Sequence, residues 1–465
     1  MLRHFFTNSA GIFISRILGF LRDLLTAASL GAGLWSDIFF VAFKLPNLFR
    51  RLFGEGAFTQ AFLPHFIKSS KKGLFLAEVL LKFSAFMLGL SLLVMLFTPL
   101  FTKLLALGFD AQSINLALPL VRINFWYLLC IFVVSVFASL LQYRSHFATS
   151  AFSTALLNIA MICALIFAHN KPQSTAALYL SWGVVAGGVL QVLAHLFAIK
   201  KLGLFKILTL GLAKFFGSQR AKMQGFYKSF FAGVLGSSAA QIGDFASTLI
   251  ASFLASGAIS YLYYANRIFQ LPLALFAIAL STAIFPKISK QIKAGDELLA
   301  KNLLKKGFDV LFALLLFASI GGFLLAEPII YLLFERGEFN AQNTKECAIV
   351  LQMSMLGLLP FGLYKLFSLW LFAHFKQGLA AKISIYSLFI NITFCLVLFK
   401  PFGAGGIALS GSISGFFILF CALWVFGFRE FFKLIYSKIT LLTLLCSLIF
   451  AFMLYYLRIF LLANL

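Results

Sequence analysis

Apolar residues come in runs of about twenty or more, separated by short stretches rich in Lys, Gly, Ser and Asn, from one end of the chain to the other. An α-helix rises about 1.5 Å per residue, so each run can cross a hydrocarbon core of roughly 30 Å. The pattern predicts helices near 5–30, 36–64, 74–107, 114–141, 150–168, 176–199, 229–254, 261–285, 307–334, 347–373, 379–399, 407–427 and 439–461. A soluble domain would have to bury all of this apolar surface in one core, which the regular spacing of the runs excludes. With 62% hydrophobic residues, 11% charged residues and 60 Phe, the chain reads as an all-α polytopic membrane protein.

Net charge is +24, a value that in a soluble chain would suggest nucleic acid. Its placement removes that reading. Alternate loops carry 23 Lys and Arg, among them Lys68, Lys71, Lys72, Lys200, Lys201, Lys287, Lys290 and Lys433, while the other loops carry only Lys171, Arg336, Lys345 and Lys400. By the positive-inside rule the rich side, with the N-terminus, is expected to be cytoplasmic, and no nucleic-acid partner is expected. The first apolar run is interrupted by Arg16, Arg22 and Asp23 and is read as a retained helix rather than a cleaved signal. Six scattered Cys and six scattered His suggest neither disulfides nor a metal centre.

The longest polar break, 200–228, mixes apolar residues with Lys at a spacing suited to an interfacial amphipathic helix. It divides the chain into an N-lobe (1–200, six spans), a cytoplasmic linker (201–228), a C-lobe (229–428, six spans) and one extra C-terminal helix (429–465). The halves echo each other. "AFTQAFLPHFIK" (57–68) aligns with "ALSTAIFPKISK" (279–290) at an offset of 222, and "LLNIAMI" around Asn158 with "FINITFC" around Asn391 at an offset of 233. Two repeats of six helices are parallel, related by a pseudo-two-fold axis along the membrane normal, and the cleft between them is the expected substrate site.

Charges inside the spans carry the chemistry. Arg16, Arg22, Arg50, Arg51 and Arg267 would each cost about 2.5–3.5 kcal/mol at the centre of a bilayer, on the order of 15 kcal/mol together. Spacing offers Asp23 to Arg16 and Glu55 to Arg51, leaving a surplus of positive charge that suits an anion-receiving cavity. Guanidinium forks match phosphate oxygens, so the expected ligand is a phosphate-bearing, membrane-resident anion. Pro46, Gly54 and Gly56 bracket this cluster and predict a kink or local unwinding. Asp37 reads as a helix cap or a gate residue. Asp244 with Asn391 and Thr393 forms a candidate oxygen site for a cation.

"SRILGFLRDLLTAASLGAG" and "SDIFFVAFKLPNLFRRLFGEGAFTQAFLP" resemble the N-terminal signature of the MurJ/MviN lipid II flippases, and "YYANRIFQLPLALFAIALSTAIFP" resembles their eighth helix. The resemblance implies a multidrug/oligosaccharidyl-lipid/polysaccharide exporter fold that moves undecaprenyl-diphosphate-linked disaccharide-pentapeptide from the inner to the outer leaflet of the bacterial cytoplasmic membrane for peptidoglycan synthesis. It also implies that Arg16, Arg22, Arg50 and Arg267 bind substrate, with Asp23, Asp37, Arg51 and Glu55 at cavity or gate positions. Three departures stand out: Asn266 replaces the family's Asp before the arginine of the eighth helix, the fifth helix lacks two family prolines at Ser150 and Thr154, and thirteen spans replace the usual fourteen.

On this reading the chain is a transporter rather than an enzyme, working by alternating access. Its partners are lipid II, membrane lipids and other cell-wall synthesis proteins. No nucleotide-binding motif is present, which leaves a coupling cation (Na+ or H+) or the membrane potential alone as the energy source. Rival readings are another lipid-linked oligosaccharide or drug exporter of the same fold, a polyprenyl-phosphate glycosyltransferase, for which the outer loops are too short, and a non-transporting membrane scaffold.

Overall fold

The computed structural model describes residues 2–54 and 57–464, with side chains except at 2–9, 52–54, 57, 224, 235–240 and 464. Among the described residues there is no strand. The helices run α1 (Leu2–Leu30), α2 (Leu34–Gly54), α3 (Ala57–Lys68), α4 (Lys72–Leu96), α5 (Thr98–Leu105), α6 (Ala111–Tyr143), α7 (Ala148–Phe167), α8 (Gln173–Lys201), α9 (Phe205–Phe216) and α10 (Gln224–Ala251). Then follow α11 (Ala258–Pro272), a π-helical segment (Leu273–Ile278), α12 (Ala279–Lys293), α13 (Glu297–Leu324), α14 (Ala326–Phe334), α15 (Ala341–Met355), α16 (Leu358–Ala373), α17 (Gln377–Phe426), α18 (Phe428–Ile435) and α19 (Lys438–Asn464).

Nine segments of the described residues are long and apolar enough to cross a bilayer, and one of them, Gln377–Phe426, is 50 residues long. Its helix breaks at Gly403, where φ is 56° and ψ −140°. Only a residue without Cβ takes that conformation readily, and Pro401 just before it supplies no backbone donor. The segment therefore accounts for two crossings, those expected at 379–399 and 407–427. The charge-bearing helices α1, α2 and α3, together with α10, lie where the remaining crossings were expected.

Several expected single spans are built in pieces, each with a local cause. α4 gives way to α5 next to Pro99, α11 passes into the π segment at Pro272, and α15 passes into α16 through Gly357 ahead of Pro360. The repeated sequences both lie in helix: "AFTQAFLPHFIK" in α3 and "ALSTAIFPKISK" in α12. α7 runs unbroken from Ala148 to Phe167, consistent with the absence of prolines there. α2 passes through Pro46 to Gly54, while the expected break at 55–56, with Glu55, lies outside the described residues.

By internal packing the chain falls into two units, Met1–Gln241 and Ile242–Leu465, divided within α10. In the first, α1 packs on α7, α7 on α8, α8 on α6, and α6 on α2. Glycines permit this closeness: a Cβ at Gly187 would come within 2.9 Å of Leu157 Cα. Phe58, Phe62, Phe75, Phe83 and Phe132 form an aromatic cluster that receives Phe226 and Phe230 from the first turns of α10.

The amphipathic helix expected in the 200–228 break is α9. Leu208 and Gly211 are its buried positions, seated on α4 where a Cβ on Gly211 would collide with Gly73 O. Beyond α9, the Ala221 N–H donates to Glu78 Oε2 at 2.6 Å, and Lys82 Nζ donates to Glu78 Oε1 at 2.5 Å. Glu78 is thus a buried carboxylate of α4 that holds the linker down.

In the second unit α11 packs on α15, both α15 and α16 pack on α17, and α13 carries α19. Buried Asp309 of α13 accepts hydrogen bonds from Ser437 Oγ and Thr440 Oγ1, each at 3.3 Å, at the start of α19. Farther along, Phe317 meets Phe450 edge-on with centroids 5.1 Å apart, and Arg458 Nη2 lies 3.7 Å from Glu327 Oε2.

Candidate anion-binding site

α1 supplies two arginines with different surroundings. Arg16 is exposed, whereas Arg22 is 8% exposed and fully engaged. Arg22 Nε and Nη2 donate to Asp23 Oδ1 at 3.0 and 2.6 Å, and Nη1 donates to Asn158 Oδ1 of α7 at 2.9 Å. Asn158 Nδ2 in turn donates to the Ser15 carbonyl at 3.0 Å, which closes a loop between α1 and α7. Gly19 leaves room for this amide, since a Cβ there would meet Asn158 Nδ2 at 3.3 Å. The carboxylate that helical spacing offered to Arg16 is therefore held by Arg22, and Arg16 has no hydrogen-bond or ion-pair partner among the described residues.

α2 supplies the next group. Asp37 is 3% exposed in its first turn, where a carboxylate is favoured by the helix dipole. It is not the cap residue, because the helix already begins at Leu34, and Ser36 Oγ accepts the Gly33 N–H at 2.9 Å. One helix length on, the half-buried Arg50 donates from Nε to Asn47 Oδ1 at 3.0 Å, and Arg51 Nη1 donates to Gln241 Oε1 at 3.1 Å. Spacing had offered Arg51 to Glu55, which is outside the described residues.

In the second unit Arg267 of α11 stacks its guanidinium 4.5 Å above the Tyr263 ring centroid, and Nη2 donates to the Tyr263 hydroxyl. Asn266 precedes it, half-buried, and the π segment begins six residues later. π-helical turns are frequent at functional sites because the widened turn re-aims neighbouring side chains.

The candidate cation residues are less convergent. Asp244 stands in α10 at the same offset of 222 from Arg22 that relates the repeats. Asn391 Nδ2 donates to Ser414 Oγ at 3.5 Å while its Oδ1 is buried without a partner, and Thr393 is exposed. Among the described residues no group of three or more His, Cys, Asp or Glu could hold a metal ion.

The arrangement brings Arg22, Asp23 and Asn158 into one buried network, leaves Arg16 open, and sets Arg50 on Asn47 and Arg267 on Tyr263. Asn158, Asn47, Gln241 and Tyr263 are participants that spacing did not single out. Asn158 had a signal, since it is the centre of the "LLNIAMI" echo. Chemically, buried carboxylate and amide acceptors fix guanidiniums so that their remaining donors and their charge face an incoming anion.

Comparison with known proteins supports a specific family. The family model "Lipid II flippase MurJ" matches residues 26–465. A Helicobacter pylori protein named "Probable lipid II flippase MurJ" is 50% identical over 417 residues, covering 87% of this chain and 91% of its own. A Buchnera aphidicola protein of the same name is 35% identical over 422 residues, covering 89% and 81%. Among solved structures, a lipid II flippase MurJ in an inward closed conformation superimposes with a TM-score of 0.81 at 25% identity, covering 97% of each chain. An inward-facing MATE family transporter of the MOP superfamily matches with a TM-score of 0.66 at 12% identity, covering 91% and 96%, a likeness of fold alone.

Proposed function

Since the chain belongs to the lipid II flippase MurJ family, we propose that it moves lipid II from the inner to the outer leaflet of the bacterial cytoplasmic membrane, for cell-wall synthesis. The observation that carries this at the level of residues is the α1 arginine pair: Arg22 locked on Asp23 and Asn158, with Arg16 open beside it. A buried guanidinium that keeps its charge sets a positive field, and an exposed one supplies a fork for phosphate oxygens. Arg16, Arg50 and Arg267 are the proposed contacts to the diphosphate, Arg22 is the fixed charge behind them, and Asp23, Asp37, Arg51, Glu55 and Asn266 tune or gate the site.

Transport proceeds by alternating access, with the N-terminus on the cytoplasmic side and the prenyl tail remaining in lipid. The membrane potential, worth about 2.3 kcal/mol per charge per 100 mV, acts on the positively charged empty carrier. Asp244, Asn391 and Thr393 form a proposed site for a coupling Na+ or H+, to which the unpartnered Asn391 Oδ1 would lend an oxygen. The halves are proposed to divide at the 201–228 linker, with 429–465 appended. Other cell-wall synthesis proteins are proposed partners.

The test is depletion of the chromosomal protein and complementation with Arg16→Ala, Arg22→Ala, Arg50→Ala or Arg267→Ala, following exposure of lipid II on the outer leaflet. Loss of exposure with normal membrane levels of the variant is expected. Full flipping by well-inserted variants overturns the proposal.

A further inference from the structure

We infer that Lys365 of α16 is a further substrate-contacting residue, a second cation for the phosphate-bearing headgroup on the same unit as Arg267. The inference rests on the flippase reading above. Lys365 lies in the crossing Ala341–Ala373 and is exposed, although its neighbours Tyr364, Leu366, Phe367 and Ser368 are buried. Its ammonium makes no hydrogen bond, ion pair or cation–π contact with any described residue, and only its backbone carbonyl accepts, from Ser368 Oγ. Four other lysines and arginines within the expected spans are engaged: Lys82 with Glu78, Lys103 with the Phe109 carbonyl, Arg122 with Thr98 Oγ1, and Arg458 with Glu327.

Snorkelling does not account for Lys365. The nearer end of the crossing Ala341–Ala373 is Ala373, eight residues or about 12 Å away, and side chains on a helix lean toward its N-terminus, here away from that end. An ammonium directed into hydrocarbon would be costly, whereas one on a water-filled surface that receives an anion is not. Phe361, one turn before Lys365 and on the same face, meets Phe269 of α11 edge-on with centroids 6.2 Å apart, and Phe269 is two residues from Arg267. α16 also packs against the π segment that follows Arg267. The Lys365 stem thus rises from the face of α16 that adjoins the Arg267 helix. A lysine suits a transient contact there, being a flexible point charge without the geometric demand of a fork.

The experiment compares Lys365→Met, Lys365→Arg and Arg267→Ala in the full chain. Lipid II binding is measured in detergent and lipid II flipping in cells, with thermal unfolding as the control for folding. Lys365→Met should unfold at or above the parent temperature, because it removes an unpaired charge, yet lose roughly tenfold in binding, the scale of one charge-assisted contact. Lys365→Arg should recover most of that loss. A Lys365→Cys variant should react with a water-soluble thiosulfonate faster than the parent background, and lipid II should protect it. Parent-like binding and flipping by Lys365→Met, or a Lys365→Cys that reacts no faster than background, overturns the inference. If Arg267→Ala fails while Lys365→Met works, only this inference falls; if both work, the substrate-site reading falls with it.

Discussion

Arg16 and Arg22 sit on one helix, six residues apart, and the structure gives them opposite energetic characters. Arg22 is buried and serves two acceptors, so Arg22→Ala breaks a buried ion pair with Asp23 and removes the guanidinium donor from Asn158, at a cost of about 3–5 kcal/mol. Arg16 is exposed, and Arg16→Ala should stay within about 0.5 kcal/mol of the parent. Thermal unfolding of the two variants in detergent should therefore separate them, although both are expected to stop lipid II flipping. Spacing alone offered Asp23 to Arg16, because residues seven apart share a helix face; what decided otherwise was Asn158, arriving from α7 to fix the Arg22 guanidinium. A lone Asn in an apolar run carries little signal, so this partner could be read only as part of a repeat. Outside the spans, Glu430 accepts hydrogen bonds from Lys301 and Lys433, which together hold its carboxyl at about 2, well below the usual glutamate value of 4.5. A depressed carboxyl stabilises above its unfolded pKa and loses that contribution as pH falls through the folded one. The difference in unfolding temperature between parent and Glu430→Gln should be constant down to about pH 4.5 and shrink below it.

At the scale of elements, hydropathy made the crossings legible while the breaks within them came from Pro and Gly placement. The α4/α5 and α15/α16 junctions follow a local rule that a window of average hydropathy smooths away. The π segment had no signal of its own, since i→i+5 bonding is not encoded in apolar periodicity. The linker helix was legible as amphipathic, but its seat was not, because close approach depends on two glycines far apart in sequence. Gly211→Ala should unseat α9 from Gly73, for a methyl group there collides with backbone that cannot yield. Faster tryptic cleavage at Lys214, Arg220 and Lys222 is the expected readout. Glu78→Gln should give a milder form of the same exposure, as it keeps an acceptor for the Ala221 N–H while losing the charge that binds Lys82.

At the scale of the whole molecule, the last helix is tied at its start to α13 through Asp309 and near its end to α14 through Glu327. A chain ending at Tyr436 would leave the buried Asp309 without its two hydroxyl donors. Its unfolding temperature in detergent should fall, and Asp309→Asn in the full chain should fall less, because a neutral amide still accepts from Ser437 and Thr440. The division into two units cuts α10, whose opening turns place Phe226 and Phe230 inside the first unit's aromatic cluster. During synthesis the ribosome delivers the chain from the N-terminus at roughly 5–20 residues per second, so the cluster waits, after α8 has been made, for the linker and the start of α10 to emerge. The first half cannot finish folding until the second half has begun to enter the membrane, and a stalled chain ending before Phe226 would present the insertion machinery with an unfilled aromatic socket.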